Sequence, residues 1–190
     1  MSTDTARQTT DRELLLAQVR AKAVVHGRVV LSSGREANYY VDLRRVTLDA
    51  EAAPLVGQVM LDLVEDLLAD PGIDAVGGLT LGADPVATAM LHAAAARGRH
   101  LDAFVVRKAD KPHGLQRRIE GPDVAGRRVV AVEDTSTTGD SVLTAVAALR
   151  AAGAEVVAVA VIVERGAAPA VQAAGLPYRA AFQLADLGLD

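Results

Sequence analysis

Apolar positions along the chain switch repeatedly between a helical and an extended period. Leu14, Leu15, Val19 and Ala23 recur on one face of a predicted helix over Asp11 to Val25, with Thr10 or Asp11 as N-cap and Gly27 as its end. Short extended segments follow at Val29 to Leu31 and Tyr39 to Leu43, around the turn chemistry of Ser32-Ser33-Gly34-Arg35. A long helix is predicted over Ala50 to Ala69, stopped by Asp70-Pro71-Gly72. Ala75 to Leu79 reads as a strand entering a Gly-rich turn, and Pro85 to Arg97 as a helix with Pro85 in its first turn. Strands are expected at Ala103 to Arg107, Arg128 to Val132 and Val156 to Val163. Helices are expected at Ser141 to Ala152 and Pro169 to Ala174, before a final extended segment near Tyr178 to Phe182. The polar stretch 108–123 is long for a connection inside a compact domain, which marks it as functional or mobile.

Strands alternating with helices predict an α/β domain with a parallel sheet covered on both faces. The unbroken apolar run Val156 to Val163 reads as a strand buried on both sides. Ligands in such folds sit at the carboxyl ends of the strands, so the residues that follow each strand carry the functional argument.

Composition narrows the classes. At 190 residues the chain is expected to be one domain with a substantial core. Hydrophobic content of 51% with 23% charged residues excludes general disorder. The chain has no Cys, which removes disulfides, thiolate zinc sites and a cysteine nucleophile. The longest apolar run falls far short of the roughly 20 residues of a membrane span. Met1 to Thr10 is polar and offers no apolar signal core, so a cytoplasmic protein without a membrane role is expected. The net charge of −4 argues against nucleic-acid binding. That charge is uneven. Residues 97–128 hold nine basic and four acidic residues, a segment at +5, whereas the remainder holds eleven against twenty and stands at −9. Two of the three lysines, Lys108 and Lys111, lie in this segment, which reads as a local anion site.

The strongest motif runs from Val129 to Ser141, VVAVEDTSTTGDS. A buried strand ends in the acidic pair Glu133-Asp134 and passes through a small, hydroxyl-rich loop into a helix. The free backbone N–H groups and dipole of a helix N-terminus favour an anion. Thr137, Thr138 and Ser141 add hydroxyls, and Gly139 lets the backbone approach a ligand. The carboxylates would repel phosphate and need another partner, either sugar hydroxyls or a metal-bound ligand. A phosphate cradle beside a carboxylate pair describes a phosphorylated pentose.

Glu133 to Ser141 resembles the 5-phosphoribosyl-1-pyrophosphate signature of type I phosphoribosyltransferases. Leu31 to Arg35 with Tyr39-Tyr40-Val41-Asp42 resembles the hood segment of the orotate phosphoribosyltransferase family. Arg107 to Gly114 is similar to that family's mobile catalytic loop, R-K-x-x-K-x-H-G, and Val161 to Arg165 to the strand whose terminal arginine contacts orotate. The resemblance implies a Rossmann-like central parallel sheet flanked by helices, the type I phosphoribosyltransferase fold, with a small N-terminal hood. It implies one domain over 1–190, with the hood near 11–45, the core near 46–185 and the loop near 108–123. The implied reaction joins orotate and phosphoribosyl pyrophosphate into orotidine 5′-monophosphate and pyrophosphate, with Mg²⁺ held mainly by substrate and water. By resemblance, the phosphoribosyl-pyrophosphate site comprises Arg107, Lys108, Lys111, His113, Glu133, Asp134, Thr135, Ser136, Thr137, Thr138, Gly139, Asp140 and Ser141. Thr137 to Ser141 would cradle the 5′-phosphate, and Glu133 and Asp134 would bind the ribose hydroxyls. Lys111, His113 and Asp134 are the catalytic candidates, and Tyr40, Thr137 and Arg165 the orotate candidates. A homodimer that shares the catalytic loop across subunits is implied.

Two departures from the pattern stand out. Many members of the family carry a lysine after the strand that corresponds to Ala75 to Leu79, and here it falls on Gly82. The hood lysine of some relatives falls on Ser32. Asp140 puts an acid inside the phosphate loop, and its side chain is expected to point away from the phosphate. His26, His92 and His100 read as structural. The alternatives are a purine or other phosphoribosyltransferase, a non-catalytic regulator that binds phosphoribosyl pyrophosphate, and a signalling receiver domain.

Overall fold

The computed structural model describes residues 3–30, 36–68, 72–108 and 118–189. The predicted turn at Ser32 to Arg35 and the loop residues 109–117, with Lys111 and His113, lie outside the described residues.

Helix α1 spans Thr3–Gln18 and continues as a π-helical turn, Val19–Ala23. Leu15, Val19 and Ala23, spaced by four, are fully buried, whereas Leu14 is 51% exposed and does not share their face. The helix starts seven or eight residues before the expected cap, Thr10 or Asp11. Thr10 and Asp11 lie inside it, and Arg7 ties its first half to α3 by donating to Gln58 Oε1 at 3.0 Å. Gly27 does not end the helix. It sits in strand β1 (Val24–Val30), where the antiparallel register to β2 (Glu36–Val41) shifts. A short helix α2 (Arg44–Thr47) leads into α3 (Ala52–Leu67). Asp49 binds the start of α3, accepting from the N–H groups of Glu51 and Ala52 at 3.0 Å, and accepts from Lys22 Nζ at 2.8 Å. That contact joins the π-helical turn to the core.

The main sheet has six strands in the order β5-β4-β3-β6-β7-β8. These are β3 (Ala75–Leu79), β4 (Asp102–Val106), β5 (Ile119–Glu120), β6 (Arg128–Ser136), β7 (Glu155–Glu164) and β8 (Tyr178–Gln183). All neighbours pair in parallel except the two-residue edge strand β5, which runs antiparallel to β4 within the stretch expected to be loop. Helices α4 (Ala83–Ala96), α5 (Asp140–Ala151) and α6 (Ala168–Ala173) complete the fold. The pleat divides the core. Val130, Val132, Ala158, Ala160 and Ile162 face α1, α3 and α4, and Val129, Ala131, Val159 and Val161 face α5. This two-sided burial explains why β6 and β7 are apolar without alternation.

Candidate active site

Three strands of the main sheet deliver their carboxyl ends to one region. Strand β6 runs on past the acidic pair to Ser136, so Glu133 and Asp134 lie within the strand and not beyond its end. The hydroxyl-rich turn is thereby confined to Thr137, Thr138 and Gly139. Gly139 takes a left-handed φ of 85° at the start of α5, a conformation that costs an L side chain free energy. Its carbonyl accepts from Leu143 N at 2.8 Å, which leaves the N–H groups of the first turn facing outward. Asp140 accepts from Thr138 Oγ1 at 2.8 Å.

Glu133 is only 5% exposed. Its Oε1 accepts from Asp134 N at 3.3 Å, and Asp134 Oδ1 accepts from Thr135 N at 2.7 Å. Burial and the neighbouring Asp134 charge push the Glu133 carboxyl up to about 8. Burial also raises Asp134, partly offset by the Thr135 N–H and by the Arg44 guanidinium. The pair thus holds a proton near neutrality. Across from it lies the turn Thr80–Gly82, which contains a cis Thr80–Leu81 peptide. A Cβ on Gly82 would come within 2.2 Å of Glu133 Oε1 and 2.6 Å of Asp134 Oδ1, so a side chain there would require the two carboxylates to shift.

A cleft of about 270 Å³ runs between these elements, and its lining includes Tyr40, Arg44, Lys108, Glu133, Asp134, Thr135 and Ser141. Tyr40 is exposed, whereas Tyr39 packs on the core, as the alternation of a strand requires. Arg107 is not in the cleft wall. Its Nη1 donates to Glu120 Oε1 on β5 at 3.4 Å. Arg165 follows β7, and its N–H donates to Ser136 O at 3.0 Å, which fixes it beside the phosphate turn. Its Nε is buried without a protein partner, as is Thr135 Oγ1. The turn that carries Arg165 is clamped by buried Glu164. Oε1 accepts from Gly166 N at 2.6 Å and Ala168 N at 3.2 Å, and Oε2 accepts from the Tyr178 hydroxyl. Burial and Glu164 together push the Tyr178 phenol up.

The +5 segment does not form one anion site. Arg97 binds Asp62 and Gln58, each at 2.5 Å, and Arg99 binds Glu65. Arg127 donates to Asp102 Oδ2 at 2.8 Å, and Arg128 N donates to Asp74 Oδ2 at 2.8 Å. These four arginines belong to the opposite, amino-end side of the sheet. Of the nine basic residues, Lys108 faces the cleft, among those described. Sequence reasoning missed Arg44, Asp42 and the Glu164–Tyr178 clamp. Glu164 alone carried a signal, as an acid closing a buried strand next to Arg165.

Paired acids closing a central parallel strand, followed by a glycine-started helix, define the phosphoribosyltransferase class of site, and the sequence model of the phosphoribosyl transferase domain matches residues 50–175. An orotate phosphoribosyltransferase of Streptomyces avermitilis is 70% identical over 182 residues, covering 94% of this chain and 98% of the relative. That of Mycobacterium tuberculosis is 60% identical over 182 residues, covering 95% and 98%. The crystal structure of the Mycobacterium tuberculosis orotate phosphoribosyltransferase in complex with 5-phospho-α-D-ribosyl 1-diphosphate superposes with a TM-score of 0.80 at 55% identity, covering 94% of this chain and 99% of the other. The chain belongs to the orotate phosphoribosyltransferase family.

Proposed function

We propose that the protein transfers the 5-phosphoribosyl group from phosphoribosyl pyrophosphate to orotate, giving orotidine 5′-monophosphate and pyrophosphate on the route to UMP. The observation that carries this reading is the buried, proton-sharing pair Glu133–Asp134 set directly before the open N-terminus of α5. The 5′-phosphate sits on the N–H groups and hydroxyls of Thr137 to Ser141. The ribose hydroxyls donate to Glu133 and Asp134, and the carboxylates, once ionised, favour the positive charge that develops on the ribose. Orotate N1 bonds C1 as the C1–O bond breaks, the electron pair of that bond leaves with pyrophosphate, and the N1 proton passes to solvent. Arg107, once released from Glu120, meets the leaving group with Lys108, Lys111 and His113, and Lys111 stabilises or protonates it. The Arg165 guanidinium pairs with the orotate carboxylate, a match of planar fork to planar acceptor. Thr137 completes the orotate site, and Tyr40 stacks on the pyrimidine.

The donor set fits Mg²⁺ held through the substrate. The described residues contain no group of three or more His, Cys, Asp or Glu that could hold a metal alone. Glu133 and Asp134 would accept hydrogen bonds from the water and hydroxyls around such an ion. When bound, Mg²⁺ neutralises charge on the pyrophosphate oxygens.

The hood near 11–45, the core near 46–185 and the loop near 108–123 act as one domain within a homodimer. A groove of about 870 Å³ between α3 and α4, bordered by Leu48 and Leu81 at 73% and 69% exposure, supports a face for the second copy. Arg44 and Leu81 line both this groove and the cleft, so the groove and the cleft adjoin, which supports a catalytic loop shared between subunits. Mixing Lys111→Ala subunits with Asp134→Ala subunits then restores part of the activity, and no recovery in verified mixed dimers contradicts the shared loop. No described helix is long and apolar enough to cross a membrane. The reading places the enzyme in the cytoplasm, with neither nucleic acid nor membrane as partner.

The test is the loss of orotate ultraviolet absorbance on adding phosphoribosyl pyrophosphate. Turnover that needs Mg²⁺ and is largely lost in Lys111→Ala supports the reading. Turnover of a purine base with none of orotate overturns it.

A further inference from the structure

We infer that Arg44 supplies the cation for the pyrophosphate group where the turn after β3 has no lysine. The inference rests on the phosphoribosyl-pyrophosphate reading of the site. That turn carries glycine, with the Glu133 and Asp134 carboxylates lying against its backbone, and so supplies no cation of its own. A diphosphate concentrates several negative charges and needs cationic donors close by. It must therefore draw them from another element. Among the described residues that line the cleft, the cations are Arg44 and Lys108.

Position favours Arg44. A ribose whose 5′-phosphate rests on α5 and whose hydroxyls meet the acidic pair presents its C1 substituent to the far side of that pair. There lie the Thr80–Gly82 turn and Arg44, which borders this cleft and, with Leu81, the groove beyond the turn. Asp42 chiefly, with Tyr40 and Asp134 behind it, raises Arg44, and the guanidinium in turn offsets part of the burial that raises Asp134.

The base of the side chain is fixed and its end is free. Arg44 N and Nε both donate to Asp42 Oδ1, at 3.3 and 2.8 Å. Asp42 N in turn donates to Ala23 O at 2.9 Å, and the next residues along α2, Val46 and Thr47, are buried. The two Nη groups remain to fork onto phosphate oxygens, a geometry that lysine cannot reproduce. A half-exposed Arg–Asp pair contributes little to stability by itself, so the arrangement makes better sense as positioning of a ligand-binding cation. Asp42 is then the positioning residue that aims the fork.

The experiment titrates pyrophosphate with Mg²⁺, and separately ribose 5-phosphate, into the wild-type dimer and into Arg44→Gln and Arg44→Lys. Arg44→Gln is expected to weaken pyrophosphate about tenfold or more. It should leave ribose 5-phosphate within about twofold and raise KM for phosphoribosyl pyrophosphate more than KM for orotate. Arg44→Lys should recover only part of the loss, and Asp42→Asn should fall between wild type and Arg44→Gln. Unchanged pyrophosphate binding in Arg44→Gln overturns the inference, as does equal loss of both ligands, which would report general damage. Wild type that binds neither ligand removes the underlying reading of the site instead.

Discussion

The two ends of the main sheet use the same residue types in opposite ways. At the amino ends, the arginines are paired within the protein, although Asp62 keeps one buried oxygen, Oδ2, without a partner. Arg97 lies between Asp62 and Gln58, Arg99 meets Glu65, and Arg127 joins Asp102. At the carboxyl ends, charges are left unmatched. Glu133 and Asp134 crowd each other, Arg165 keeps a buried Nε without an acceptor, and Thr135 keeps a buried hydroxyl without a partner. An unmet polar group in a protein interior costs free energy, and beside two crowded carboxylates such groups fit a place whose partners come from outside. Charge density alone points to the wrong place, because much of the +5 segment is spent on the amino-end network.

The contrast can be broken at either end. The largest expected effect is Asp134→Asn, which lowers kcat/KM for orotate about a thousandfold, with a melting temperature equal to or above that of wild type, because the native carboxyl is already held up by burial. Steady-state kinetics with thermal melting checks both halves. At the amino ends, Arg97→Ala strands the buried Asp62 and is expected to cost about 3 kcal/mol, or roughly 10 °C in melting temperature. Its kcat at a temperature where it stays folded remains that of wild type.

The next effect is pH-dependent. Glu133 sits at about 8 in the folded protein against 4.5 in its ordinary state. The folded state therefore binds the proton more tightly, and its contribution to stability is complete below 4.5 and lost as pH rises toward 8. Glu133→Gln removes that loss. The variant should melt with wild type near pH 4 and several degrees above it near pH 8, as melting curves across pH will read. The smallest effect is Tyr178→Phe, which loosens the Glu164 clamp and should raise KM for orotate about threefold, leaving KM for phosphoribosyl pyrophosphate unchanged.

Long elements with a clear period were legible in the sequence. Strands β3, β4, β6, β7 and β8 and helices α3, α4 and α5 fall within a few residues of expectation because a buried face forces the pattern. Elements without such a face were not. Helix α2 has four residues and β5 has two, too few to show a period. The first half of α1 is polar, with Arg7 held by Gln58 and Asp11, so no apolar stripe announces it. In the site, Glu133 to Ser141 was legible because each residue sits at a fixed offset from one strand and one helix. Arg44 was not, since an arginine beside another on a short polar stretch looks the same whether it faces water or a cleft. Gly82 was legible only as a departure. That two carboxylates lie against its backbone is visible only in three dimensions.

The central claim is that the carboxyl-end groups await a ligand, and the most direct test is proton exchange on binding. Calorimetric titration of phosphoribosyl pyrophosphate, in two buffers of different ionisation enthalpy near pH 7, should show the protein releasing up to about one proton as the ribose hydroxyls donate to the acidic pair and drive it to its ionised form. Glu133→Gln should lose that release. Binding with no net proton release, or release unchanged in Glu133→Gln, would contradict the account.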